Sequence, residues 1–149
     1  MKVIYEMIDK FKQLDEYDMF KFIFSNKKVQ DYIIELNTIE QLYEKGINSE
    51  GISLSSIDEY NPFTIQDKLN KGLPTNRVTL FNSGDLYNSI YVRLSKDYIE
   101  IVSVLIDEYQ LEEKYGDNIL GLSKDSLDKL VKFIIPYAQL YVEKKLNIR

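Results

Sequence analysis

The stretch Val78-Thr79-Leu80-Phe81-Asn82-Ser83-Gly84-Asp85-Leu86-Tyr87-Asn88-Ser89-Ile90-Tyr91-Val92 decides how this chain folds. A short apolar run, Val78 to Phe81, reads as a strand. It stops at Asn82-Ser83-Gly84-Asp85, where Ser83 suits a helix N-cap and Asp85 suits the positive end of a helical turn. Alternation then resumes. Ile90, Val92 and Leu94 alternate with Tyr91 and Arg93, and Tyr98 to Val104 is strand-like again. A two-residue turn at Lys96-Asp97 pairs Tyr91 with Val102, Val92 with Ile101 and Arg93 with Glu100. That register sets apolar against apolar and opposite charges against each other.

Helices are expected on both sides of this hairpin. Val3, Ile4, Met7, Ile8 and Phe11 predict a helix from about Lys2 to Gln13. Asp15 caps a second through Met19, Phe20, Ile23 and Phe24, broken at Ser25-Asn26. A third runs from about Lys28 to Lys45 on the stripe Val29, Ile33, Leu36, Ile39 or Glu40, and Tyr43, with Gly46 at its C-cap. Residues 47–61 read as a long loop, of a length often functional or ordered by a partner. Asn61-Pro62 starts a two-turn helix that ends at Gly72-Leu73-Pro74. Beyond the hairpin, Asp107 to Tyr115 reads as a short acidic helix closed by Gly116. Ser123 caps a long C-terminal helix whose stripe is Leu127, Leu130, Val131, Ile134, Ile135, Ala138, Tyr141, Val142 and Leu146, with Pro136 expected to kink or split it. The expectation is one α+β domain over residues 1–149. Residues 1–46 are its helical N-terminal region, residues 47–61 the loop, and residues 62–149 its α+β region. N-terminal helices and a long C-terminal helix would pack on a small antiparallel sheet built around the hairpin.

Composition narrows the chemistry. The 149 residues contain no cysteine and no histidine. Disulfides, thiolate metal sites and cysteine nucleophiles are excluded, and so are the commonest general base and the commonest transition-metal ligand. Adjacent acids such as Asp58-Glu59, Asp107-Glu108 and Glu112-Glu113 point to different sides of an element and do not converge on one ion. Asn48-Ser49-Glu50-Gly51 lacks the alternating ligands of a calcium loop. Gly72 and Gly84 belong to no phosphate-binding pattern. Ser83, Ser89 and Tyr87 have no partner base in the sequence. Tyr87, Tyr91 and Tyr98 lack the flanking Lys/Arg cluster of a base-stacking platform. No catalytic residue, cofactor or metal is therefore expected.

The net charge is −5 and the pI about 4.9, which argues against a domain built to grip nucleic acid. Asp107 to Asp117 holds five acids and one lysine, and Lys129 to Arg149 five bases and one acid. These are either solvated helix faces or two patches that meet across a subunit boundary. The 12 tyrosines and 7 phenylalanines suit buried partner surfaces, and they equally suit an AT-rich coding sequence. No apolar stretch approaches the ~20 residues of a membrane span, and Met1 to Leu14 has no signal-peptide core. A protein made in a cytoplasm, with no membrane partner, is expected.

Three segments resemble the phage tail-completion and head–tail connector (neck) proteins, like those of phages infecting gut Bacteroidetes. The first is Gln41-Leu42-Tyr43-Glu44-Lys45-Gly46, then Ser53-Leu54, then Tyr60-Asn61-Pro62-Phe63-Thr64. The second runs from Lys71-Gly72-Leu73-Pro74-Thr75 through Val78-Thr79-Leu80 to Ser83-Gly84-Asp85-Leu86-Tyr87-Asn88-Ser89-Ile90, where Ser83 stands in place of the family's usual Thr. The third is Glu113-Lys114-Tyr115-Gly116-Asp117-Asn118-Ile119-Leu120-Gly121-Leu122. The resemblance covers about Gln41 to the C-terminus. It implies a virion protein of the phage neck: a ring of identical subunits between portal or adaptor ring and tail proteins, with DNA only in passage and no catalytic residues. The long loop from Gly46 to Asn61 would be an arm onto a neighbour or onto the ring above. Candidate contact residues are Ser53, Leu54, Tyr60, Phe63, Tyr87, Tyr91, Glu112, Glu113, Lys144 and Lys145. The alternatives are a cytosolic adaptor or acidic inhibitor of the antitoxin or immunity type that binds a basic partner, and a small carboxylate hydrolase.

Overall fold

A computed structural model of the chain describes residues 12–147, so the helix expected over Lys2 to Gln13 lies almost wholly outside the described residues. The elements run α1 (Glu16–Phe24), α2 (Lys27–Glu35), a π-helical segment (Leu36–Lys45), a 3₁₀ turn (Leu54–Ser56), α3 (Pro62–Asn70), α4 (Asp85–Ser89), β1 (Tyr91–Leu94), β2 (Ile99–Val102), α5 (Val104–Glu108), α6 (Leu111–Tyr115) and α7 (Lys124–Leu146). The class is α+β, with α1, α2 and α7 packed on the inward face of a two-stranded antiparallel sheet.

The hairpin register is Tyr91↔Val102, Val92↔Ile101, Arg93↔Glu100 and Leu94↔Ile99, as the sequence predicts. Ser95 N donates to Tyr98 O at 2.9 Å and closes the Lys96-Asp97 turn. Val92, Ile99 and Ile101 pack inward with Ile23, Val29, Ile33, Leu36 and Leu130, a core shared by α1, α2, the hairpin and α7. Tyr91, Arg93, Glu100 and Val102 alternate with them along the two strands, on the opposite face of the ribbon. Arg93 Nη2 lies 2.6 Å from Glu100 Oε2, and this pairing raises the guanidinium pKa.

Capping follows expectation at three helix starts. Asp15 accepts from Tyr17 N and Asp18 N, Asn61 from Thr64 N with Pro62 at the first position, and Ser123 from Ser126 N. Pro136 sits inside α7, which runs unbroken from Lys124 to Leu146.

The helix after Asn26 departs from expectation. It is α-helical only to Glu35 and then winds as a π-helix to Lys45, ending at Gly46 with φ 62°. With i→i+5 hydrogen bonds, residues four and five apart share a face. The inward face therefore passes from Ile33 to Asn37 and Thr38, then to Gln41 and Leu42, and Ile39 turns outward. Gly46 is held by its surroundings as well as by φ: a Cβ there would lie 2.8 Å from Val78 O.

Two further expectations are corrected. The acidic helix is two short helices, α5 and α6, separated where Gln110 adopts φ 53°. Val78 to Phe81 is not a strand, since no neighbouring strand lies beside it among the described residues and Leu80 takes φ 58°.

Candidate functional site

The segment 78–81 is extended backbone whose polar groups are met by side chains instead of a sheet. Ser55 Oγ accepts from Val78 N at 3.0 Å. The Tyr60 hydroxyl accepts from Thr79 N at 3.0 Å and Leu80 N at 3.1 Å. Thr79 Oγ1 accepts from Phe81 N, and Tyr87 Oη donates to Thr79 O. Lys68 Nζ donates to Phe81 O, sits 3.4 Å from Thr79 Oγ1, and lies 4.8 Å over the Tyr60 ring. Lys68 is only 2% exposed and has no carboxylate at ion-pair distance among the described residues. Dipoles and a π face take the place of water around its charge.

A cavity of about 290 Å³ opens beside this lysine, lined by Tyr60, Lys68, Phe81, Ser83, Asp85 and Tyr109 among others. Its chemistry is that of a joint. Gly84 takes φ 91° and starts α4, while Ser83 Oγ accepts from Asp85 N at 3.3 Å, one residue outside the cap position expected for it. Ser89 Oγ is committed to Leu86 O and Ser103 Oγ. Burial pushes the Tyr87 phenol far above its ordinary range and the Tyr115 phenol up to about 12, so both stay protonated at physiological pH. Among the described residues no group of three or more acids is placed to hold a metal ion.

Comparison with protein-family models, with curated proteins and with solved structures finds no match to this chain. The site therefore stands on its own geometry.

The candidate contact residues separate into two groups. Leu54 and Tyr87 are buried, and both belong to a core with Leu42, Val78, Leu86, Ile106, Tyr115 and Ile119. Tyr60 packs against that core and spends its hydroxyl on the backbone. These three face inward, because each ring packs against, or each side chain fills, the space under residues 78–81. Ser53, Phe63, Tyr91, Glu112 and Glu113 are exposed, Phe63 by 88%. Lys144 and Lys145 are exposed but engaged: Lys144 lies over the Phe22 ring, and Lys145 Nζ is 2.9 Å from Asp18 Oδ2.

The loop 47–61 is ordered by contacts within the chain, with Ile52 and Ile57 left exposed. Ile47 bridges Ser53, and Asn48 is buried with Oδ1 accepting from Glu50 N and Ile52 N. Ser49 N donates to Asn118 O at 2.8 Å. The loop 47–61 is pinned because Leu54 fills the core and Ser55 and Tyr60 brace residues 78–80.

Sequence reasoning missed Asn37, Gln41 and Lys68. Asn37 Nδ2 donates to Ile119 O, and Asn37 Oδ1 accepts from Gly121 N. Gln41 Nε2 donates to Gly121 O, and Gln41 Oε1 accepts from Ser123 N, both at 2.8 Å. Two amides thus clamp the backbone from Ile119 to Ser123. The available signal was two amides four residues apart in line with Ile33. For Lys68 no sequence signal existed.

The charge patches resolve unevenly. Lys129 pairs with Glu40 at 2.6 Å and Lys145 with Asp18, so these basic groups are used within the chain. The acidic segment keeps Asp107, Glu108, Glu112, Glu113 and Asp117 exposed and outside any ion pair among the described residues. No helix among the described residues is long and apolar enough to cross a membrane.

Proposed function

We propose that this chain is a non-enzymatic structural subunit of the phage neck, a tail-completion or head–tail connector protein that assembles as a ring between portal and tail. One observation carries the proposal. The ordered segments that resemble the neck family, from Gln41 to Leu122, interlock in a single core: Leu42, Leu54, Val78, Leu86, Tyr87 and Ile119 each come from a quoted motif. The motif hydroxyls and amides are spent on holding backbone, which supports a scaffold that presents surfaces to other proteins. The acidic balance suits a conduit that DNA slides past, because phosphate is repelled.

The test is imaging of the purified protein by negative stain, alone and with the portal protein of the same genome. Rings, or added density on the portal, support the proposal. A stable monomer that ignores portal and tail proteins overturns it. Tight one-to-one binding to a basic protein would instead favour the inhibitor alternative, to which the unpaired acids of α5 and α6 are also suited.

A further inference from the structure

Two exposed surfaces of this chain complement each other. The first is a shallow groove of about 370 Å³ beside the hairpin, whose apolar side is Tyr91, Val102 and Val104 and whose acidic side is Asp107, Glu112 and Asp117. Val104 is 70% exposed and Tyr91 48%. The one cation lining the groove, Arg93, is already bound to Glu100. The second surface is a face of α7. Leu127, Val131 and Ile135 recur every fourth residue and are 48%, 54% and 47% exposed. Lys124 continues the same stripe at its N-terminal end and Lys132 flanks it. Both lysines are exposed and outside any ion pair among the described residues; two opposing charges share that flank, Asp128 one turn from each lysine and Asp125 two turns from Lys132.

An apolar ridge carrying lysines matches an apolar groove carrying acids. We infer that the α7 stripe of one copy packs into the hairpin groove of a second copy, with Lys124 and Lys132 facing Asp107, Glu112 and Asp117. The inference rests on the ring proposal and adds which two faces meet. The partner is a second copy because the same chain carries both complementary surfaces. Phosphate is excluded by the acidic side of the groove. From Leu127 to Ile135 the ridge is about 12 Å long at 1.5 Å per residue, a short central contact that other surfaces would frame. The two patches differ, so the contact is heterologous and propagates head to tail, closing into a ring if the rotation allows.

Val131→Asp blocks the stripe and Val104→Asp blocks the groove. Both positions are exposed, so both variants should keep the wild-type circular dichroism spectrum. Each variant alone should assemble at least about tenfold more weakly than wild type by sedimentation velocity. Mixed, they should form one-to-one dimers and nothing larger, since each retains the face the other lacks. A second pair tests the charges: Glu112→Lys and Lys132→Glu each weaken assembly, and the chain carrying both recovers it. Rings that form normally from Val131→Asp or Val104→Asp would overturn this contact and leave the ring proposal standing. Wild type that stays monomeric with and without portal would overturn both.

Discussion

Tyr60 shows how a residue suited to an interface can be used internally. Its ring packs beside Lys68, and its hydroxyl accepts two amide protons from a segment with no strand beside it. Tyr60→Phe keeps the ring and strands those two donors, which should cost about 2 kcal/mol in urea denaturation. Tyr91→Phe, at an exposed position, is the control and should cost close to nothing. Equal losses in the two variants would show that the Tyr60 hydroxyl braces nothing. Asp18 offers a second test, through pH. Its carboxylate takes a hydrogen bond from Lys145 and another from Tyr141, and these hold its pKa below the ordinary 3.8. A carboxyl whose folded pKa is depressed adds stability above its unfolded pKa and loses it as pH falls through the folded value. The melting temperature of Asp18→Asn should therefore lie below wild type at neutral pH. The gap should close as the pH drops below 3.8. A gap that persists undiminished in strong acid would mean that the ion pair is not its cause.

At the scale of elements, the hairpin was legible because local rules over-determine it. Alternation, a two-residue turn and the Arg93–Glu100 pair all select one register. Residues 78–81 also read as strand, from a short apolar run, yet their partners are Ser55, Tyr60 and Tyr87, brought together only by tertiary structure. No local pattern encodes that. The π-helical segment misled for a related reason: Asn37 and Gln41 look solvent-facing by type but are buried against the backbone of Ile119 to Ser123. On α7 the apolar stripe was read correctly as apolar, but a pattern cannot say whether its own chain covers it, and Leu127, Val131 and Ile135 are left bare. The clamp can be tested directly. Gln41→Leu keeps the volume but leaves Gly121 O and Ser123 N unpaired, at a cost of about 3 kcal/mol. Because Asn37 grips the same stretch, Asn37→Ala combined with Gln41→Leu should cost less than the sum. Strict additivity would show that the two amides act independently.

Across the whole molecule, one continuous helix joins two cores. Its α-helical half places Val29 and Ile33 among α1, the hairpin and α7; its π-helical half adds Leu36 to that core at its first residue and places Leu42 among the loop, residues 78–87 and α6. The amide clamp ties the same helix to the start of α7. Neither core can lose its packing without freeing a helix the other needs, so the chain should unfold in one step. Ile33→Ala probes one core and Leu42→Ala the other. Both side chains are fully buried, and each truncation should cost about 3 kcal/mol. The expected result is a single transition in each variant, shifted to lower denaturant, with far-ultraviolet dichroism and tyrosine fluorescence coinciding. Two separated transitions, with Leu42→Ala moving only one, would mean that the core formed between Gln41 and Leu122 is a separate unit and that the helix merely links it to the rest.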